Sequence, residues 1–196
     1  MFINFPRLMG VFLAGCLFFC PVAAKAGDGV LPGEVFTAIM LKTLNYDRNI
    51  DRQAKEKVVI GIVCFSDDTN FAEQVKENIS KVQASFLLKD KPVEGKLVVV
   101  DKVFDKVKFE EQLKQNNISV LVVAVSDSAF INNLLGVSRP MQISSVCRDP
   151  GCARNGVGLE ISQKDSKPRM LVNMDSIKQE GSDYNSKFLA MCEVLK

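Results

Sequence analysis

Val58-Val59-Ile60-Gly61-Ile62-Val63-Cys64-Phe65 is the stretch that decides the fold. It holds no charge, no amide and no polar alternation, and most of its residues are β-branched. Such a run suits a strand covered on both faces, and strands of that kind belong to parallel sheets flanked by helices. The charged stretch 51–57 (DRQAKEK) before it reads as a surface connection. After it, Ser66-Asp67-Asp68-Thr69 offers N-cap residues, and Phe71, Val75, Ile79, Val82 and Phe86 predict a helix over about 70–88. Lys96 to Val103 (KLVVVDKV) is a second strand, entered past Pro92 and Gly95. Asp105 caps a short helix to about Gln115, which Asn116-Asn117 breaks. Ile118 to Val125 (ISVLVVAV) is a third, wholly apolar strand, and Ser126-Asp127 caps a helix through Leu135 that ends at Gly136.

Strand–helix units in succession imply parallel strands joined by right-handed crossovers, with helices on both faces. Downstream, 140–146 reads as a strand, 147–156 (CRDPGCARNG) as a loop, and 157–161 and 169–173 as two strands joined by the hairpin linker 163–168. Residues 174–180 form a short helical turn stopped by Gly181. A helix over 183–195 follows, with Phe188, Leu189, Cys192 and Leu195 inward. Upstream, Phe36, Ile39, Met40 and Leu44 mark an opening helix. The expected fold is therefore α/β: a three-layer, doubly wound sandwich with a mostly parallel sheet of about six strands and a C-terminal hairpin plus helix. No repeat or low-complexity tract divides 35–196, and 27–34 is a loose Gly/Pro-containing entry segment.

Residues 1–26 (MFINFPRLMGVFLAGCLFFCPVAAKA) read as a signal peptide. Arg7 supplies the positive start, Leu8 to Phe19 the apolar stretch, and Ala24-Lys25-Ala26 the small-x-small cleavage site, so the mature chain is expected to begin at Gly27. The apolar run, about 12 residues, is short for a bilayer span of roughly 20. A rival reading is a lipoprotein box at Leu13-Ala14-Gly15-Cys16, with Cys16 lipidated. The apolar Leu-Phe-Phe-Cys that follows it argues against that. The exported, mature chain is expected in the periplasm.

Export leaves Cys64, Cys147, Cys152 and Cys192 in an oxidising compartment, where three pairings are open to four cysteines. Cys147 and Cys152 enclose only Arg148-Asp149-Pro150-Gly151, and a Pro-Gly turn can bring them within bridging distance. Cys64 and Cys192 suit apolar surroundings as free thiols, with a mutual bridge as the alternative.

The chain contains no histidine. That excludes Ser-His-Asp and Cys-His nucleophiles, His-ligated metals and an imidazole pH switch. The net charge of +2 comes entirely from Arg7 and Lys25, so the mature chain is neutral and lacks the basic patch that nucleic acid requires. Asp67 and Asp127 stand at strand carboxyl ends, where doubly wound sheets place ligands, yet the same residues serve as ordinary helix caps. Arg148 and Arg154 bracket the cysteine loop as candidate anion or partner contacts. Gly156-Val157-Gly158 lacks the third glycine of a dinucleotide fingerprint and leads into a strand, and Gly95-Lys96 lacks the upstream glycine of a phosphate loop. The reading is of a protein that is not an enzyme, with no metal and no cofactor.

Two blocks carry a resemblance. The opening helix runs into Asn45-Tyr46-Asp47-Arg48-Asn49. The C-terminal block comprises Val157-Gly158-Leu159, a charged turn, Pro168-Arg169-Met170-Leu171-Val172-Asn173, a short helix to Glu180-Gly181, and Ser186-Lys187-Phe188-Leu189-Ala190. Together they resemble the YfiR-like family of exported α/β proteins over about residues 35–195, with Met174 where a Leu is usual and Asn185 where a Ser is usual. The middle, 70–140, matches only in pattern. The resemblance implies a periplasmic regulator that binds the periplasmic part of an inner-membrane diguanylate cyclase and so limits cyclic di-GMP signalling. It also implies a disulfide at Cys147–Cys152, disulfide-dependent behaviour and homodimerisation. Other members serve sensor kinases or outer-membrane receptors. A small-molecule binding and sensing module is the alternative function.

Overall fold

The computed structural model describes residues 29–196 apart from 51, 53 and 55, so the signal-peptide and Cys16 readings lie outside the described residues. In chain order the elements are α1 (Gly33–Leu44), β1 (Val58–Phe65), α2 (Asn70–Val82), β2 (Leu87–Leu88), β3 (Lys91–Val100), α3 (Lys106–Gln115), β4 (Ile118–Val123), α4 (Ser128–Ser138), β5 (Ser144–Cys147), β6 (Leu159–Lys164), β7 (Lys167–Asn173), α5 (Met174–Gln179), α6 (Ser186–Leu189) and β8 (Glu193–Leu195). They build one eight-stranded sheet in the order β2-β3-β1-β4-β5-β6-β7-β8. β3, β1, β4, β5 and β6 run parallel, β7 turns back antiparallel to β6, and β8 lies parallel to β7.

The apolar strands behave as their sequences demand. Val58, Ile60, Ile62 and Cys64 point into one core with Phe36, Met40, Leu44, Val75, Ile79 and Phe188. Val59 and Val63 point into the other, with Phe109, Leu113, Ile131, Leu134 and Leu135. β4 divides likewise, Val120 and Val122 to the first core, Leu121 and Val123 to the second. Thus α1, α2, α5 and α6 cover one face and α3 and α4 the other. The result is a three-layer α/β sandwich.

Departures from the expected elements have local causes. Lys89 and Asp90 both take positive φ (50° and 63°), the backbone of a tight hairpin turn, so 87–92 folds into a β2–β3 hairpin and α2 ends at Val82 rather than near 88. Pro92 is tolerated near the start of β3, where it faces Leu87 of the short β2 and precedes the ladder with β1, which begins at Val93. Asp165 and Ser166 (φ 48° and 63°) make the same turn between β6 and β7. β5 starts four residues later than expected, and α4 runs through Gly136 to Ser138. The helix over 183–195 is not formed: it shrinks to α6, and Glu193–Leu195 instead pairs with Leu171–Asn173 as β8. Leu195 shares helical spacing with Phe188 in sequence, but the open edge of β7 claims it.

Val122 is fully buried between β1 and β5. Val122→Asp places an unpaired carboxylate in the first core at a cost of several kcal/mol, against a typical total of about 5–15. Circular dichroism should show an unfolded chain. Wild-type melting would mean the strand is not interior.

Candidate functional site

Doubly wound sheets open a crevice where the strand order reverses, outside the strand carboxyl ends. Here α2 leaves β1 towards one face while α4 leaves β4 towards the other, so the reversal lies between β1 and β4. On the α4 side the wall is aromatic: Phe65 meets Phe130 edge-on at 4.8 Å, and Phe104 meets Phe130 at 5.4 Å. Arg148 follows the last residue of β5. Its guanidinium carbon lies 3.8 Å from the centroid of Phe71 in the first turn of α2. Arg148 therefore spans from the carboxyl end of β5 to the first turn of α2, on the side of the sheet where the strands end. Phe71 is braced by Phe36 of α1 at 5.4 Å, edge to face. Arg148 Nε also donates to Asp149 Oδ1 at 3.4 Å.

The other candidates separate. Asp127 Oδ1 accepts the Phe130 N–H at 2.6 Å and caps α4. Asp67 caps nothing: it pairs with Lys102 at 2.5 Å in the open, a contact worth little in water. The hydrogen bond from Lys102 holds the Asp67 carboxyl below its ordinary range. Thr69 precedes α2 without a side-chain cap. Arg154 is exposed; the Glu193 carboxyl of β8 is held below its ordinary range chiefly by its hydrogen bond from Arg169, with Arg154 a smaller contributor, so the two arginines diverge. Among the described residues no group of three His, Cys, Asp or Glu could hold a metal. A groove of about 360 Å³ at the amino ends touches Lys57, Val59, Lys96 and Asn116. Its lysines are engaged, Lys57 with Glu94 and Lys96 with Asn116.

Cys147 and Cys152 are joined by a disulfide with Cα atoms 6.5 Å apart. Cys64 and Cys192 are free thiols. They lie on β1 and beside β8, five strand intervals apart in the sheet order, on the order of 20 Å or more, so the alternative bridge is not made. Burial pushes both thiols up, Cys192 to about 12, which keeps them protonated and unreactive.

Sequence reasoning missed three buried carboxylates, and these organise the second half of the sheet. Glu160, fully buried in β6, accepts from the Gly151 N–H at 2.9 Å, the Ala153 N–H at 3.3 Å and the Ser162 hydroxyl at 2.8 Å. It therefore anchors the disulfide loop. Its signal was present: one acid inside the otherwise apolar Val157–Ile161 run. Glu180 accepts from the Ser145 N–H at 2.9 Å and contacts the Ser145 hydroxyl at 2.5 Å. A Cβ on Gly158 would stand 2.4 Å from Glu180 Oε2, so the second glycine of Gly156-Val157-Gly158 makes room for a carboxylate, not a nucleotide. Asp47 Oδ1 accepts from the Asn49 and Asp183 N–H groups, at 2.9 and 2.8 Å. With Tyr46 stacked on Phe188 at 5.5 Å, it clamps together the two blocks that carry the family resemblance.

No family model matches the chain, and neither does any curated protein. Solved structures do. An ABC domain in complex with L-Trp from Streptococcus pneumonia shares 9% identity at TM-score 0.54, over 78% of this chain and 60% of that one. A conserved domain protein from Vibrio cholerae shares 12% at 0.58, over 84% and 60%. A substrate-binding protein with adhesive properties from Clostridium difficile, in its ligand-free, open form, shares 13% at 0.50, over 76% and 57%. The chain thus spans about three fifths of the length of these structures, and at such identities the likeness is one of fold.

Burial pushes the Glu180 carboxyl up to about 8, against the opposing pull of the Ser145 donors and Arg139. The unfolded chain ionises Glu180 near its ordinary value, so this residue's contribution falls as pH rises from about 4.5 to about 8, by up to about 1.4 kcal/mol per unit. Glu180→Gln can still accept from the Ser145 N–H and donate to its hydroxyl. Urea unfolding across that window should show the wild type losing stability relative to Glu180→Gln. Parallel pH profiles would contradict the assignment.

Proposed function

We propose that this chain is an exported, non-enzymatic binding module that takes a small anionic ligand in the crevice between β1 and β4. The observation that carries the reading is Arg148, whose guanidinium lies over the Phe71 ring where the strands end. A guanidinium so placed presents its donor fork to a carboxylate, and the α2 amino end, which no side chain caps, adds oriented backbone N–H groups. The disulfide beside it suits an oxidising compartment, and no described helix is long and apolar enough to cross a membrane. Two of the similar folds come from proteins described by what they bind, one with L-Trp and one as a substrate-binding protein. The described serine–carboxyl pairs, Ser145 with Glu180 and Ser162 with Glu160, are buried and serve to tie strands to loops.

A second reading rests on the clamp. The opening block that ends in Asn45–Asn49 and the C-terminal block that ends in Ser186–Ala190, which together resemble the YfiR-like family, pack on each other through Asp47, Tyr46 and Phe188. In that reading the module acts by contact with the periplasmic part of an inner-membrane diguanylate cyclase or sensor kinase.

Thermal-shift screening with L-amino acids and small carboxylates tests the first reading. A ligand at a hundredfold its dissociation constant should add about 2.7 kcal/mol, and Arg148→Ala should remove the gain while leaving the ligand-free melt nearly unchanged. No shift with any carboxylate would overturn it. Capture of a membrane cyclase or kinase by the ligand-free protein would then carry the second.

A further inference from the structure

The β6–β7 hairpin runs on past both of its neighbours. β5 pairs with β6 only at Leu159 and Glu160, and β8 joins β7 only from Leu171. The tip, Lys164 to Pro168, is exposed throughout. A groove of about 320 Å³ at this tip has Lys164, Lys167, Arg169, Met191 and Glu193 in its walls. Its cations converge on one carboxylate. Arg169 donates to Glu193 from Nε at 3.0 Å and from Nη2 at 2.6 Å, and Lys164 and Arg154 add to the field that holds Glu193 below its ordinary range. With Asp165 included, four cations here face two acids, and neither Lys164 nor Lys167 has an ion pair among the described residues. Apolar side chains stand beside them: Met191 is 55% exposed, and so is 48% of Val30. The residue before Val30 is fastened to the hairpin, Gly29 donating to the Gln163 carbonyl at 2.8 Å and accepting from its N–H at 2.9 Å. We propose that this tip is a membrane-docking surface, which takes anionic phospholipid headgroups at Lys164 and Lys167 and sets Met191 into the interface between them.

Charge and chain direction select this occupant. The mature chain is neutral overall, so the surplus at the tip is a local one. It falls short of the phosphate contacts that hold a nucleic acid, whereas a bilayer attracts the lysines and also accepts the apolar side chains among them. The leader decides between a bilayer and a soluble acidic protein. Its apolar stretch, Leu8 to Phe19, joins the domain at Gly29, and the ten residues from Phe19 to Gly29 reach at most about 35 Å when extended. Gly29 is bonded beside Lys164, so in the precursor the tip is held close to the bilayer that the leader enters.

The chain from Gly27 onwards should sediment with phosphatidylcholine vesicles that carry about a third phosphatidylglycerol, and not with phosphatidylcholine alone. Added salt should weaken the binding, because the lysines are exposed and screened. One lysine at an anionic surface is worth about fivefold in affinity, so Lys164→Gln with Lys167→Gln should weaken binding about thirtyfold and leave the melting temperature unchanged. Removing the same charge from exposed helix positions, with Lys76→Gln and Lys106→Gln, should matter far less. The chain has no tryptophan, so Met191→Trp supplies a single reporter. Its emission should shift to the blue on anionic vesicles, while that of Val103→Trp, at another exposed position, should not. No binding to the anionic vesicles at low salt overturns the proposal, as does binding that the two lysine pairs weaken equally or a Met191→Trp emission that stays in place. Capture of an acidic protein through Lys164 and Lys167, without vesicle binding, would overturn it in favour of a protein partner.

Discussion

The residues of β1 from Val58 to Cys64 have no route to water, and that constraint organises the rest. A strand buried on both faces must have apolar partners above and below. α1 and α2 supply one set, and α3 and α4 the other. It must also have its backbone satisfied on both sides, which β3 and β4 do in parallel. Parallel neighbours require crossovers. Once the chain has gone outwards to β3 on one face and returned to β4 on the other, the strand order reverses beside β1. The reversal point between β1 and β4 is thus a consequence of β1's burial.

The second half of the sheet is held differently. β5 contributes only four residues, two of them serine, and β6 carries Glu160 and Ser162 inside. Apolar burial alone does not fix this region. Glu160 gathers the disulfide loop, Glu180 ties α5 to β5, and Asp47 ties the segment after α1 to the segment before α6. Buried acids that accept from backbone N–H groups are directional, so they set the placement of loops as well as their stability. The loop that presents Arg148 is therefore rigid at both ends, by disulfide and by Glu160.

What the sequence revealed divides along the same line. The strands 58–65 and 118–125, the helices after them and the Asp105 and Asp127 caps were legible because apolar periodicity and cap chemistry are local signals. β8 was not, because its three residues take their conformation from the free edge of β7, far back in the sequence. The turn at Lys89-Asp90 was hidden because the pair is not the Asn-Gly type that advertises positive φ, whereas the hairpin linker 163–168 was legible in its charged, Pro-ended composition between two apolar runs. Of the site candidates, Asp127 is a cap, Asp67 a surface ion pair and Arg154 an exposed charge. Arg148 acquires its place only from Phe71, 77 positions earlier in the chain. The three buried carboxylates were visible as letters, but their roles depend on which backbone N–H groups the fold brings to them.

Native-state hydrogen exchange tests the central claim most directly. If β1 is the element on which the others depend, its amides and those of β4 should exchange only through global unfolding. The edge strands β2 and β8 should open well below that limit, and β5 to β7 should lie between. Exchange from β1 at the rate of either edge strand, while any other strand stays protected, would contradict the account.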